Sequence, residues 1–424
     1  MVVYRLIVLI GIIWMAAPIR AADWSIYTKI DAFAYSEPVS IDAFTQDFDD
    51  TLTSGDDAFT HDQIEFGLKW RNWRLAAVTR FDYITEFTND TALVHFWEKH
   101  DIPIDEERQY DLALRVDKVV ADGFKLGYTH KFGNNVSIDA AFSYYPRPRD
   151  LLSGKVTGFG DPSVDQQTRD TAQTIIDSLT IRNPDLSPLY GVVADIVTTV
   201  TVDYHYGEPE FGEPEFRQPH IIGDPNPTVS GVDFSEPEGK GFSLDLALDW
   251  QVNEKLHLSL SVQDIYNEFQ WDDAPFTVTT FVLNPFLVEA IAMAQEFALG
   301  EVVAPNDLVD EHVQVFIGNA SHDQHLPWRA DLAVGYKLDP EFELFGYRPA
   351  QLTLIGGYYR ASRVDFPRIG LGIGNRVKVE FDITSKALAA TYMGRYLYAR
   401  LISDSFSTKD AKIFGLEIGL NYAF

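Results

Sequence analysis

Leu416-Glu417-Ile418-Gly419-Leu420-Asn421-Tyr422-Ala423-Phe424 closes the chain. Extended, this stretch puts Leu416, Ile418, Leu420, Tyr422 and Phe424 on one face and Glu417, Gly419, Asn421 and Ala423 on the other. The same period of two recurs upstream. In 62–70, Ile64, Phe66, Leu68 and Trp70 oppose Glu65, Gly67 and Lys69. In 73–83, Trp73, Leu75, Ala77, Thr79, Phe81 and Tyr83 oppose Arg74, Arg80 and Asp82. Further copies lie in 110–117, 124–132, 242–250, 256–262, 328–338 and 377–384. Each reads as a strand with one apolar and one polar, often charged, face.

A water-exposed β-sandwich also alternates, so the content of the faces decides. The apolar faces carry Trp, Tyr and Phe near segment ends, where membrane interfaces hold aromatic girdles. The polar faces mix both signs of charge with small Gly, Ala and Ser, as a lumen does. Segment lengths suit the roughly 9–11 tilted residues that cross a bilayer. The expected fold is all-β and transmembrane: an antiparallel up-and-down β-barrel of about fourteen strands, range about 12–16, with short helical insertions. The terminal stretch resembles the assembly signal of Gram-negative outer-membrane β-barrels: a polar residue, then Gly, an aromatic and a final Phe, matched by Glu417, Gly419, Tyr422 and Phe424. That resemblance implies recognition by the barrel-assembly machinery and a place in the outer membrane.

Composition agrees. The chain has 424 residues, 34 Lys and Arg against 63 Asp and Glu, a net charge of −29, and no cysteine. This excludes disulfides, thiolate metal sites and a lipoprotein anchor, and argues against nucleic acid as partner. Residues 1–21 read as a secretory signal: Arg5, an apolar run from Leu6 to Met15, then small residues up to Ala21. Residues 22–424 form the barrel. No run approaches the length of a membrane helix, so strands must do the spanning.

The strands are expected at 24–36, 62–70, 73–87, 106–118, 123–132, 136–146, 198–206, 240–251, 255–268, 328–338, 350–361, 376–384, 388–402 and 411–424, with extra strands near 276–283 and 312–318 making sixteen. Periplasmic termini would put the turns at Arg71-Asn72, Val119–Asp122, Val252–Glu254 and Ser385–Ala387 inside. The connections 37–61, 88–105, 207–239 and 269–327 would face outside. Three of these, 37–61, 207–239 and 269–327, hold 24 acidic residues and one basic. Acidic loops of this kind stay solvated. They would also suit divalent cations bridging to lipopolysaccharide, with Asp47, Asp49, Asp50, Asp56 and Asp57 as hard-oxygen ligands. Gly207–Phe211 and Gly212–Phe216 repeat one pentapeptide within a proline-rich, extended segment.

Helical spacing marks 162–181, within an insertion at 147–197 expected in the periplasm or lumen. A second helix is expected at Pro285–Leu299, inside the long outer loop 269–327. Apolar helices in outer loops are similar to those of the long-chain fatty-acid transporter family, whose fourteen-stranded barrels capture hydrophobic substrates. The Asn-Pro-Ala segment that opens that family's plug is missing here. A second, short likeness, Gly239–Leu246 with Ser261–Trp271, is to conjugal-transfer TraF-like barrels.

Catalytic motifs are absent, and no enzyme, cofactor or metal site is expected. His322 and His325, with His312 nearby, have metal-compatible spacing but read as loop histidines. Gly370-Leu371-Gly372-Ile373-Gly374 reads as a bend between strands. The chemistry expected is lumenal: Arg74, Arg80, Asp82, Asp111, Arg115, Asp117, Lys125, Asp245, Asp249, Arg329, Asp331, Lys378, Glu380 and Glu417, either paired across the wall or forming a selective constriction. The function expected is a channel or transporter for a small or apolar solute. The alternative is a non-conducting barrel for structure, assembly or adhesion through its acidic loops.

Overall fold

The computed structural model describes residues 24–45, 52–100, 102, 108–160, 198–206, 238–283, 313–338, 351–374, 376–407 and 409–423. The expected signal, the helices at 162–181 and 285–299, the tandem repeat, Asp47, Asp49, Asp50, His312 and Phe424 lie outside these residues. The strands are β1 (Trp24–Ser36), β2 (Asp57–Trp70), β3 (Trp73–Phe87), β4 (Tyr110–Phe132), β5 (Val136–Gly160), β6 (Thr198–Tyr206), β7 (Glu238–Gln251) and β8 (Leu256–Leu283). They continue as β9 (Val313–Gln324), β10 (Arg329–Lys337), β11 (Leu352–Ala361), β12 (Val364–Ile373), β13 (Val377–Asp382), β14 (Leu388–Met393), β15 (Leu397–Ser403) and β16 (Ile413–Ala423). Among the described residues two helices, α1 (Ile41–Phe44) and α2 (Asn89–Lys99), cap connections.

The sheet closes. β1 pairs antiparallel with β2 on one side and with β16 on the other, Ser25 facing Ala423 and Tyr35 facing Ile413. Sixteen strands fill fourteen positions. β8 is 28 residues long, about 90 Å at roughly 3.3 Å per residue, far more than a bilayer requires. Along one edge of β8, β7 pairs with its first half and β6 with 276–283; along the other, β10 pairs with 256–263 and β9 with 269–281. β6 with β7, and β9 with β10, are therefore two interrupted strands. β4, β5, β6, β8 and β9 carry the wall beyond the closed ring.

The two ends differ. The end holding Trp24 and Ala423, the terminal end, has tight turns: Arg71-Asn72, with Arg71 at φ 54, and the turns containing Gly133 and Gly374, at φ 63 and 58. α1 and α2 sit at the far end. Ser40 caps α1, accepting the Ala43 N–H at 3.2 Å.

Several expected boundaries move. The turn at Val119–Asp122 does not form. Residues 106–118 and 123–132, expected as separate strands, are joined: β4 runs unbroken through 110–132, with register shifts against β5 at Val120/Ala121 and Asp122/Phe124. Backbones crowd there, and a Cβ on Gly123 would lie 2.2 Å from the Tyr144 carbonyl oxygen. Of the glycine run 370–374, only Gly374 lies in a turn between strands; residues 370–373 are the second half of β12, held close to β13. Residues 388–402 form two strands, with a turn at 394–396. Ser385–Ala387 lies at the far end, not beside the termini. Residues 147–160, expected in the helical insertion, extend β5. β5 ends and β6 begins together at the far end, Phe159 facing Thr199. The extra strands expected near 276–283 and 312–318 are present within longer ones, and 269–275 and 319–324, expected as loop, are strand as well.

The barrel is apolar outside. Trp24, Trp70, Trp73, Trp250, Tyr336, Tyr396 and Tyr422 are exposed around the terminal end, Trp24 stacking on Trp70 at 5.7 Å and Trp73 lying 4.6 Å from Tyr128. Tyr266, Tyr358, Phe381 and Phe414 are exposed farther along the wall. Leu68, Leu75, Leu126, Leu354, Ile369 and Leu401 are exposed on the same outer surface, an area no water-soluble monomer presents. Charged side chains are buried inside it.

Because the chain has no cysteine, closure can be tested with one engineered pair. Ser25→Cys with Ala423→Cys should crosslink on oxidation, and the heated, unreduced protein should then migrate faster on a gel than its reduced form. No crosslink in folded protein would contradict the β1–β16 seam.

Candidate functional site

Asp264 sits where β8 breaks its alternation. Its φ is 56°, and the pairing with β7 skips from Leu244 to Leu246. Strict alternation would send Asp264 outward with Leu260 and Val262. The bulge turns it inward instead and leaves Ile265 and Tyr266 consecutively exposed.

Inside, the Asp264 carboxylate is the acceptor for three side chains from three strands. Arg80 of β3 donates through both terminal nitrogens, at 2.9 and 3.1 Å. Arg329 of β10 donates at 2.9 Å, and the Ser243 hydroxyl of β7 at 2.7 Å. The Asp264 N–H donates to Asp245 at 3.0 Å. Arg80 also donates through Nε to Asp82 at 2.6 Å, and Asp82 bonds His61 Nδ1 at 2.9 Å. Arg80, Asp82, His61 and Asp264 are each less than 5% exposed. In the ring, β3 and β8 are separated by β4, β5 and β7, so the Arg80–Asp264 fork crosses the lumen. Bidentate pairing of this kind fixes geometry as well as charge.

Aromatic rings pack around and beyond this bridge. The Arg80 guanidinium lies 5.7 Å from the centroids of both Tyr145 and Phe269. Phe33 of β1 meets Tyr359 of β11 at 5.4 Å and Phe366 of β12 at 5.9 Å, also across the lumen. Trp271, Leu151, Leu326 and Ile413 join them in one buried cluster. Leu326 is held in place by Asn267, which takes its N–H at 2.7 Å and donates to its carbonyl at 2.8 Å. Gln324 donates to Asp117 and to the Lys118 and Leu152 carbonyls, tying β9 to β4 and β5.

On the terminal side of this seal the lumen opens. One cavity of 430 Å³ is lined by Asp31, Asp249, Arg329, Asp331, Lys378 and Arg400, among others. A second, of 540 Å³, reaches the terminal rim between Tyr27, Lys69, Arg74 and Tyr396. Ion pairs line both: Lys125 with Glu65 and Asp245 at 2.9 and 2.8 Å, Lys29 with Asp31 and Glu417 at 3.0 and 3.6 Å, and Arg74 with Asp139. Arg368 bridges Asp331 and Glu380, and Arg400 approaches the same two carboxylates.

The residues expected in the lumen fall into three groups. Arg80, Asp82 and Arg329 join the bridge, with Asp245 beneath it. Arg74, Lys125, Asp249, Asp331, Lys378, Glu380 and Glu417 line the cavities, Asp249 meeting His257 at 2.9 Å. Asp111 and Arg115 stand elsewhere. Both are exposed on the stretch of β4 that pairs with residues 155–159 of β5, at the level of β6, beyond the closed ring. Asp117 is buried where that extension meets the ring, accepting Ser153 Oγ at 2.8 Å. Gly419 and Tyr422 lie on β16, Tyr422 exposed in the terminal girdle. Asp264, His61, Asn267 and Gln324 are the residues the alternation did not point to.

Among the other candidates, Asp56 and Asp57 converge with Glu37, their ligand atoms within 4.8 Å of one another. Arg363 already meets Asp57 at 3.3 Å, and Glu37 accepts from Tyr35 and the Asp56 N–H. His322 stacks on His205 at 4.0 Å, while His325 bonds the Asn267 carbonyl, so the two histidines of metal-compatible spacing turn to different partners. On the extension beyond the closed ring, burial and the neighbouring His322 push the His205 imidazole down from 6.5 to about 4.

No protein-family model and no curated protein matches the sequence. Among solved structures, the chain superimposes on the CymD monoaromatic hydrocarbon channel with TM-score 0.30 and 8% identity, covering 95% of this chain and 89% of that one. The translocator domain of the autotransporter NalP from Neisseria meningitidis gives 0.32 and 9%, covering 99% and 94%. A Pseudomonas aeruginosa FadL homologue gives 0.24 and 9%, covering 94% and 88%. Superpositions this loose transfer no residue and no role.

The bridge and the histidine stack each have a measurable consequence. Asp264→Asn keeps shape and tolerates positive φ, but leaves two guanidinium groups short of a buried counter-charge. It should lower stability by ~3–5 kcal/mol, read from the denaturant midpoint, whereas Asp249→Asn at the water-filled wall should stay within about 0.5 kcal/mol. Equal effects would show that the bridge is not special. The His205 ring folds in its neutral form, so its contribution is complete above the ordinary imidazole value of 6.5. It falls away as pH drops from there toward about 4. Amide protection in β6, taken relative to the intrinsic exchange rate at each pH, should fall over that range and lose the dependence in His205→Phe; protection that does not change with pH would show that the stack does not couple to folding.

Proposed function

We propose that this protein is a solute channel of a Gram-negative outer membrane, closed in the conformation described here. One observation carries the reading. The lumen is open to the terminal side as two cavities, and it is sealed toward the far end by side chains rather than by a folded domain, among the described residues. A seal built from the Arg80–Asp264–Arg329 bridge and aromatic rings can part without unfolding the wall. Its charged members would be hydrated when it does, at little cost in water. Passage then suits small solutes able to slip between aromatic rings, including apolar ones. The helix expected at Pro285–Leu299, which would gather an apolar ligand, lies outside the described residues.

The same reading orients the terminal end to the periplasm and the far end outward. Glu37, Asp56 and Asp57 would there meet divalent cations bridging lipopolysaccharide phosphates. A second reading, a non-conducting structural barrel, is favoured by how fully the lumenal charges pair with one another.

Planar-bilayer recording with the folded protein separates the two. The wild type should conduct rarely. Arg80→Ala removes the arm that crosses the lumen and should raise both open probability and the rate of liposome swelling in a neutral sugar. A folded Arg80→Ala protein as silent as the wild type would overturn the channel reading in favour of the structural one.

A further inference from the structure

Lys69 and Arg74 are direct cross-strand partners flanking the Arg71-Asn72 turn, and both side chains face the 540 Å³ cavity. Like charges placed opposite each other in a ladder repel. Two of the five cations on this cavity are doubly neutralised: Lys29 by Asp31 and Glu417, Lys125 by Glu65 and Asp245. Lys69 differs. Among the described residues no carboxylate lies within ion-pair distance of it, and its ammonium rests 4.7 Å over the Tyr27 ring. Arg74 uses one terminal nitrogen on Asp139, while its Nε is buried without a hydrogen-bond partner. The guanidinium is pressed against Gly127, where a Cβ would come within 2.7 Å of that nitrogen. An unpaired ammonium and a guanidinium with only one acceptor thus share one wall of the cavity, the Nε itself lying buried behind it.

We propose that Lys69 and Arg74 form a subsite for a small organic monocarboxylate, one carboxylate oxygen meeting the Lys69 ammonium and the other the part of the Arg74 guanidinium that faces the cavity. The charge of the ligand follows from the surroundings. Glu65, Asp139, Asp245 and Glu417 line the same cavity, so a dianion such as phosphate is repelled while a monoanion restores local balance. The body of the ligand would lie against Tyr27, Ala141, Ala247 and Tyr398, which line the cavity beside the two cations. The proposal rests on the channel reading only for the route by which the carboxylate arrives; binding itself needs no conduction.

The test is calorimetric titration of the folded full-length protein in detergent with sodium benzoate, with benzamide and inorganic phosphate as comparison probes. Benzoate should bind saturably, and benzamide and phosphate much more weakly. Lys69→Gln should weaken benzoate about tenfold, the loss of one charge-assisted hydrogen bond, and Lys69→Arg should restore it. Heat-modifiable gel mobility checks that each variant is folded. Benzoate affinity unchanged in folded Lys69→Gln, benzamide binding as tightly as benzoate, phosphate binding at least as tightly, or no saturable benzoate binding would each overturn the subsite. Liposome swelling in neutral sugar is indifferent to Lys69, so a failed subsite and a failed channel give different results.

Discussion

In hydrocarbon no water is available to the backbone, so every strand N–H and carbonyl must find a partner within the wall. That constraint makes the β1–β16 seam the contact on which the rest depends. It fixes the number of strand positions, and closure in turn fixes which face of each strand is inside. Once the ring closes, a charged residue on the inner face has only the lumen to enter, and a tryptophan on the outer face has only lipid. The arrangement is the inverse of a soluble core: Leu68, Leu75, Leu126 and Ile369 are exposed, while Arg80, Asp82 and Asp264 are buried.

The wall is legible in the sequence because alternation reports a face directly. Topology is less so, for particular reasons. The expected count of fourteen matches the ring only because errors compensate. Splitting β4 at Val119–Asp122 and counting 198–206 as a full member add two. Missing β12 and merging β14 with β15 remove two. Val119-Val120-Ala121-Asp122-Gly123 interrupts the alternation without ending the strand, since a bulge and a turn leave the same mark on a period of two. The Gly394-Arg395-Tyr396 turn does the opposite: its tyrosine continues the pattern, so the reversal is silent. Glycine at 370 and 372 suggests a bend, whereas in β12 it serves approach: a Cβ on Gly370 would lie 2.4 Å from the Val379 carbonyl oxygen.

The lumenal site is half legible for the same reason. Arg80, Asp82, Lys125 and Arg329 follow clean alternation and face inward. Asp264, which connects them, lies at a bulge that reverses its side. The available signal is local: two adjacent apolar residues, Ile265 and Tyr266, directly after an aspartate at the end of a regular run. His61 escapes because its strand begins five residues earlier than the hydrophobic pattern suggests, within a segment whose acidity reads as loop.

A seal made of ions and rings together behaves differently from one made of either alone. A purely apolar plug would close by excluding water, and opening it would expose its whole surface. A purely ionic bridge would be weakened by any water that reached it, because the attraction between charges falls steeply with the local dielectric. Here Tyr145 and Phe269 flank the Arg80 guanidinium and keep water from the bridge, so the rings determine how strong the ion pair is. The ion pair, in turn, draws β3 and β8 together across the lumen and sets the gap in which the rings touch. Each layer holds the other closed, and the loss of either admits water to both. Such mutual dependence favours two states, sealed or wet, over a graded leak, and it places the decision at Asp264, where three strands share one carboxylate.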